Sequence, residues 1–354
     1  MPIFDQGYQH WDGARSGVAT RSATIARQGL RASMKGKWTG LLLKVTLALA
    51  IIPALVLATF LALWGMLEQQ TDYLSTFLPR GFLPPEVLAN PRDYRSSIWT
   101  LAFSTFLWLE TGFAMVLVAQ VGPALISQDL RFNAIPLYLS RPLRRGDYFL
   151  GKLGVIAAYL GGLMIGPAVF AYALGVLFSL DAKVIPQTYR ILLGSVAYGV
   201  VAVLSIGTLI LAISSMSRSS RNVTAAWLGI WIVGGLAAPL MEHVLRLEWG
   251  PVVSVQTDLL RVREVLLGNK EAWEPIGKAF DAFNDKLEDL RRPSLFGFRG
   301  RRPPRPAPPP DLPPVPNRFY KEYPWTWSAG VLGGLALASV LTLTTRVRSL
   351  DRLK

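Results

Sequence analysis

The sequence predicts an all-α membrane protein with six transmembrane helices. Three observations carry that expectation. First, the 354 residues hold six apolar runs, each near the roughly 20 residues that cross a hydrocarbon core. Second, hydrophobic residues make up 51% of the chain, mean hydropathy is +0.34, and charged residues are only 17%; soluble domains carry about 25%. Third, lysine and arginine crowd into alternate loops, as topology demands.

Residues 1–44 come first, a basic N-terminal segment. In "TIARQGLRASMKGKW", Arg27, Arg31 and Lys35 recur every fourth residue, while Ile25, Leu30 and Met34 lie mostly on another side. This pattern predicts an interfacial amphipathic helix resting on anionic membrane lipids; the plainer alternative is a basic flank without a helix. The first apolar run begins near Val45, too late for a cleaved secretory signal. The predicted spans are Val45–Leu67, Ile98–Ala124, Leu153–Leu177, Ile191–Ile213, Val223–Val244 and Trp325–Thr345. Irregular backbone cannot face lipid, so each should be helical. Pro53, Pro123, Pro167 and Pro239 should kink these helices or mark their ends. The glycines of "GGLMIG" (161–166) and "GVLGG" (330–334) have the spacing that lets helices approach closely; the alternative is that they reflect only how common glycine is in membrane helices.

Orientation follows from charge. With both termini cytoplasmic, the inside segments 1–44, 125–152, 214–222 and 346–354 hold 18 Lys/Arg against 5 Asp/Glu, whereas the outside segments 68–97 and 181–190 hold 5 of each. The net charge of +14 is therefore largely topogenic, and no nucleic-acid partner is expected. The absence of cysteine removes disulfides and thiolate metal sites.

Residues 45–244 thus form spans one to five, and 245–324 a long extracytoplasmic segment, read as a helical and proline-rich insertion. "TDLLRVREVLLG" predicts a short amphipathic helix ending at Gly268. In "WEPIGKAFDAFNDKLEDL", Trp273, Ile276, Phe280, Phe283, Leu287 and Leu290 alternate at spacings of three and four, a narrow apolar stripe on a charged helix. Such a stripe needs a cover, expected from a second copy or an extracytoplasmic protein rather than from the chain itself. "RRPPRPAPPPDLPPVP" (301–316) must be extended, and returns the chain to the membrane. In "FYKEYPWTW", Phe319, Tyr320, Tyr323, Trp325 and Trp327 form an interfacial aromatic belt at the entry to span six and the basic tail, 325–354.

Catalytic signatures are missing. Gly-Lys occurs at Gly36-Lys37, Gly151-Lys152 and Gly277-Lys278, never followed by Ser or Thr, so no P-loop is present. His10 and His243 are the only histidines, and no GxSxG occurs. No catalytic, cofactor or metal residue is assigned. Glu110, the single acid deep in a predicted span, is the exception that calls for a role. It could contact a substrate, carry a proton, pair across a dimer interface, or make a structural hydrogen bond to a residue such as Tyr159, Tyr172, Tyr198 or Ser205.

Between spans two and three lies "ISQDLRFNAIPLYLSRPLRRGDYFLGK", Ile126 to Lys152. It resembles the hallmark segment of ABC-2-type permeases, the membrane subunits of one class of ABC transporter. The matching features are Asp129, the turn Leu139-Ser140-Arg141-Pro142, the basic pair Arg144 and Arg145, Tyr148, and Gly151-Lys152. Many members carry Glu at position 129 and Gly-Thr where this chain has Asn133-Ala134. The resemblance covers nearly the whole chain except 270–318. It implies the ABC-2 permease fold and a coupling helix docked in a cleft of a cytoplasmic ATPase, with Asp129, Arg131, Phe132, Leu137, Arg141, Pro142, Arg144, Arg145 and Tyr148 at or near that contact. It further implies two ATPase subunits that bind ATP and Mg, a second permease copy, and a bacterial plasma (inner) membrane. An ATP-driven exporter is the leading expectation. A proton-coupled secondary transporter using Glu110 and a non-transporting module that binds a partner through 245–324 are the alternatives.

Overall fold

A computed structural model describes residues 17–69, 84–134, 145–291 and 323–351, and they are helical with no strand among the described residues. The proline-rich stretch 301–316 and the coupling residues Leu137, Arg141, Pro142 and Arg144 lie outside them.

Among the described residues, six helical stretches are long and apolar enough to cross a membrane: Lys37–Gln69, Arg95–Arg131, Arg145–Ser179, Val184–Met216, Ser220–Glu242 and Trp325–Arg346. Each contains or overlaps a predicted span, and the chain is a multi-pass membrane protein in its architecture. Most exceed the apolar run they contain. Hydropathy falls where side chains become polar, but the backbone ladder continues through residues such as Lys37 and Arg131. At 1.5 Å per residue the 37-residue helix Arg95–Arg131 runs roughly 55 Å.

In chain order the helices are α1 (Val18–Lys35), α2 (Lys37–Gln69), α3 (Pro85–Ala89), α4 (Arg95–Arg131), α5 (Arg145–Leu160), α6 (Gly166–Ser179), α7 (Val184–Ala202), α8 (Thr208–Met216), α9 (Ser220–Pro239), α10 (Val255–Leu267), α11 (Asn269–Arg291) and α12 (Trp325–Asp351). Wide π turns at Gly161–Ile165 and Val203–Gly207 join α5 to α6 and α7 to α8 without breaking either span. A third, Leu240–Val244, ends span five.

The long helix α4 is the central post. It packs against α2, α7, α8, α9 and α11, and buries Trp99, Phe103, Leu107, Leu117 and Val118 completely. The outward faces are apolar too: Leu41, Val45, Leu49, Ile52 and Val56 of α2 are exposed, as are Leu337 and Leu341 of α12. A helix apolar on every side fits lipid as solvent.

Helix α1 does not rest on the spans loosely. A Cβ at Gly151 would lie 2.6 Å from Ile25 Cβ, and one at Gly29 would lie 2.6 Å from Val155 Cγ2. These two glycines let α1 seat directly on α5, leaving Arg27, Arg31 and Lys35 exposed on its far side. The expected close approaches at "GGLMIG" and "GVLGG" are not found. A Cβ at Gly161, Gly162, Gly330, Gly333 or Gly334 would meet nothing within 4 Å. The first motif instead forms the π turn.

Residues 245–291 are packed onto the spans. Helix α10 lies against α4, α7, α9 and α12, and α11 lies along α4. Backbone contact is close: a Cβ at Gly194 of α7 would lie 2.4 Å from the Leu266 carbonyl oxygen.

Candidate functional site

The hallmark segment begins on α4 and ends on α5, so its two ends are held by rigid helices. Asp129, near the last turn of α4, accepts a hydrogen bond from the Tyr148 hydroxyl at 2.7 Å. The Lys152 ammonium lies 2.7 Å from the same carboxylate oxygen and 5.3 Å from the centre of the Tyr148 ring. Tyr148 and Lys152 are one turn apart on α5, which places both against Asp129. Three side chains thus tie the stem of the 135–144 segment. The sequence reading placed Asp129 and Tyr148 among the coupling residues but gave Lys152 no role. The signal was available, since a lysine one turn after the tyrosine faces the same way.

Just before this tie, α4 is interrupted by Pro123. The hydroxyl of Ser214 on α8 donates to the Pro123 carbonyl at 2.9 Å and accepts from the backbone N–H groups of Ile126 and Ser127, at 3.2 and 3.0 Å. A side chain inserted into a helix ladder at a proline is a cause of bending. Ser127 also meets Ser220 of α9 at 2.7 Å. The last turns of α4 are therefore wired to α5, α8 and α9 together.

Two residues past the end of α4, Asn133 has a φ of 51°, in the left-handed region. The Ala134 N–H returns to the Asp129 carbonyl at 2.8 Å, closing the turn. Asparagine and glycine are the residues that accept this conformation at least cost. Phe132 is 72% exposed, with the Arg131 guanidinium 5.6 Å from its ring centre. Arg145 is also exposed.

Glu110 sits at mid-span on α4. It is fully buried, and neither carboxylate oxygen has a hydrogen-bond partner. The candidate hydroxyls bond elsewhere: Tyr198 with Thr111 at 2.6 Å, Tyr172 with Thr188 at 3.1 Å, Tyr159 with Ser33 at 2.7 Å, and Ser205 with the Val201 carbonyl at 2.7 Å.

The stripe on α11 is divided. Ile276 is 2% exposed, and Trp273 and Phe280 pack on the core beside Ala272 and Ala279. The chain itself covers Ile276, where α11 lies along α4, while Trp273 and Phe280 stay half-buried. Phe283 is half-buried, and the side chains of Leu287 and Leu290 lie outside the described ones. Polar ties fix α10 and the start of α11: Arg263 donates to the Ser104 carbonyl at 3.1 Å, Asn269 to the Ser104 hydroxyl at 2.6 Å, and Ser328 to Asp258 at 2.7 Å.

At the opposite end of α4, Arg95 is 1% exposed and binds three partners. It donates to Glu68 of α2 at 2.8 and 2.9 Å, to Asp181 at 3.1 Å and to Gln187 of α7 at 2.9 Å. Sequence reading missed this cluster, because its members are 27 to 92 residues apart. Compared with known proteins, the chain matches no family model and no curated sequence.

Proposed function

We propose that the chain is the membrane subunit of an ATP-driven transporter of the ABC-2 type, working as an exporter. It would pair with a second permease copy and with two cytoplasmic ATPase subunits that bind ATP and Mg. Both termini and the 135–144 segment would face the cytoplasm, in a bacterial plasma membrane. The observation that carries this reading is the Asp129–Tyr148–Lys152 tie. It fixes the stem of the hallmark segment to two spans, so a push on that segment reaches α4 and α5 at once. Asn133 adds support: its left-handed backbone is what the family's glycine would provide. The exposed Phe132 and Arg145 are suited to an apolar cleft rimmed with acid.

The test is recovery of a P-loop ATPase with the tagged full-length chain. Arg141→Glu together with Arg144→Glu should lose that partner while the spans stay folded. If no ATPase accompanies the wild type, the reading is wrong. Proton-coupled transport through Glu110 is the second reading, motivated by its two unpartnered oxygens. It requires uptake or efflux driven by a proton gradient without nucleotide.

A further inference from the structure

At the end of the bundle that carries the Arg95 cluster, a cavity of ≈ 590 Å³ lies between the starts of α4 and α7 and the junction of α10 with α11. Small-molecule sites span roughly 300–1,000 Å³. The α4 wall is hydroxylic. Ser97 and Thr100 line it three residues apart, so both face the same way. They are 8% and 3% exposed, and neither hydroxyl bonds to another described residue. Unlike the sealed oxygens of Glu110, theirs keep surface open to the cavity. Ser104, next on that face, is already taken, its hydroxyl by Asn269 and its carbonyl by Arg263. The two hydroxyls above it are left for a ligand, and a largely buried hydroxyl without a bond costs free energy until a partner reaches it.

The α7 wall adds an oriented donor and a cation. Gln187 Oε1 accepts from the Arg95 guanidinium at 2.9 Å, which leaves its amide N–H groups to the cavity that it lines. Arg190, one turn further on, makes only a long bond of 3.4 Å to the Tyr189 hydroxyl. The α11 wall adds an anion. Glu271 lies in the first turn of α11, its carboxylate folded back over Gly268. Among the described residues, Arg190 and Glu271 pair neither with each other nor with any other charge. One cavity thus presents a cation, an anion, two open hydroxyls and an amide donor. The complementary ligand is a zwitterion with donors and acceptors between its two charges. From Pro186 to Ile191 the α7 wall runs about 7.5 Å, the length of two or three residues of extended chain.

We propose that this cavity binds a short peptide of two or three residues. Its C-terminal carboxylate meets Arg190, its N-terminal ammonium meets Glu271, and its amides meet Ser97, Thr100 and Gln187. Every short peptide carries these groups, so side-chain identity matters little. The site lies at the end of the bundle opposite the 135–144 segment and depends on no ATPase partner.

The experiment titrates the purified full-length chain, in lipid nanodiscs, with trialanine, N-acetyl-trialanine and trialanine amide, and reads binding by calorimetry. The wild type should bind trialanine and lose roughly fivefold in affinity with either cap, since Arg190 and Glu271 are both open to solvent. Arg190→Gln should bind trialanine as weakly as the wild type binds the amide, with no further loss on amidation. Glu271→Gln should behave in the same way toward acetylation. Both side chains are exposed, so these variants should fold. Thr100→Val should weaken all three peptides while leaving both cap effects intact. No binding of trialanine by the wild type overturns the proposal, as does equal binding of the free and capped peptides. So does a cap effect that survives unchanged in Arg190→Gln or Glu271→Gln, which would place the peptide elsewhere. Glycerophosphoethanolamine binding more tightly than trialanine, with the same dependence on Arg190 and Glu271, would assign the cavity to a lipid headgroup and overturn the peptide.

Discussion

Replacing Arg95 with methionine removes the one cation that three polar side chains share. The cost follows from what is left behind. Side chains of both Arg95 and Glu68 are 1% exposed, so Glu68 would be left without water and without its bidentate partner. Breaking a buried pair from one side costs about 3–5 kcal/mol. Asp181 adds little, because its side chain is 27% exposed and recovers water. Removing both charges, as Arg95→Met with Glu68→Leu, deletes the desolvation problem along with the attraction. Such replacements are often neutral or stabilising, so the double variant should lie within about 1 kcal/mol of wild type, most of the single variant's loss recovered. Unfolding in mixed micelles, followed by tryptophan fluorescence for wild type, both single variants and the double, gives the four corners of the cycle. A loss below about 1 kcal/mol for Arg95→Met would mean that Glu68 rehydrates freely, and the sealed cluster described above would be refuted. A double variant as unstable as Arg95→Met would place the cost in packing instead.

Three further expectations rest on other parts of the molecule. The chain has no native cysteine, and an ideal Cβ at Gly154 lies 3.1 Å from Ala26 Cβ. Ala26→Cys with Gly154→Cys should therefore oxidise to a disulfide in membranes, and adding Gly151→Val should slow it by unseating α1; no cross-link in the first protein would contradict the seat. At the α6–α7 turn, the backbone N–H of Lys183 and the Arg95 guanidinium hold the Asp181 carboxyl below the ordinary carboxylate range. A depressed folded value gives stability that is present above the unfolded value and lost as pH falls through the folded one. Amide protection at Lys183, corrected for the intrinsic exchange rate, should accordingly fall below about pH 4, and Asp181→Asn should flatten that acid limb; an unchanged profile would show that another group titrates. Glu110→Leu should raise thermal stability, since it removes two unpartnered buried oxygens worth about 1–3 kcal/mol, yet abolish transport in proteoliposomes, with Glu110→Gln mild in both. Loss of stability with leucine would reveal a polar partner that forms in another conformation.

The six spans were legible because lipid demands long apolar helices, and hydropathy reports that demand directly. Their ends were less legible, since a helix such as α4 continues through Gln128 and Arg131 after apolarity stops. The amphipathic α1 was visible as a period of four in Arg27, Arg31 and Lys35, but its seat was not. Which glycines meet a neighbour depends on how two distant helices cross, so Gly29 and Gly151 carry contacts that the denser glycine motifs lack. At the candidate site, Asp129 and Tyr148 were singled out only through the resemblance of the 126–152 segment to a known family's hallmark. Ser214 could not, because its part in the Pro123 ladder depends on α8 returning beside α4. The α11 stripe was read correctly as needing a cover, and for Ile276 the cover proved to be α4. Amphipathicity says that a face must be buried and is silent about against what.

The π turn at Gly161–Ile165 has a consequence for span three. It holds one residue more than an α turn, and each residue advances a helix by about 100°. Residues beyond it are therefore out of phase with those before it, by about a quarter of a rotation. The two halves meet different neighbours: α5 presents Gly151 and Val155 to α1, while α6 presents Gly175 to Leu61 of α2 and to Trp99 of α4. The slip resets which face of α6 turns toward α2 and α4 while the membrane crossing continues unbroken.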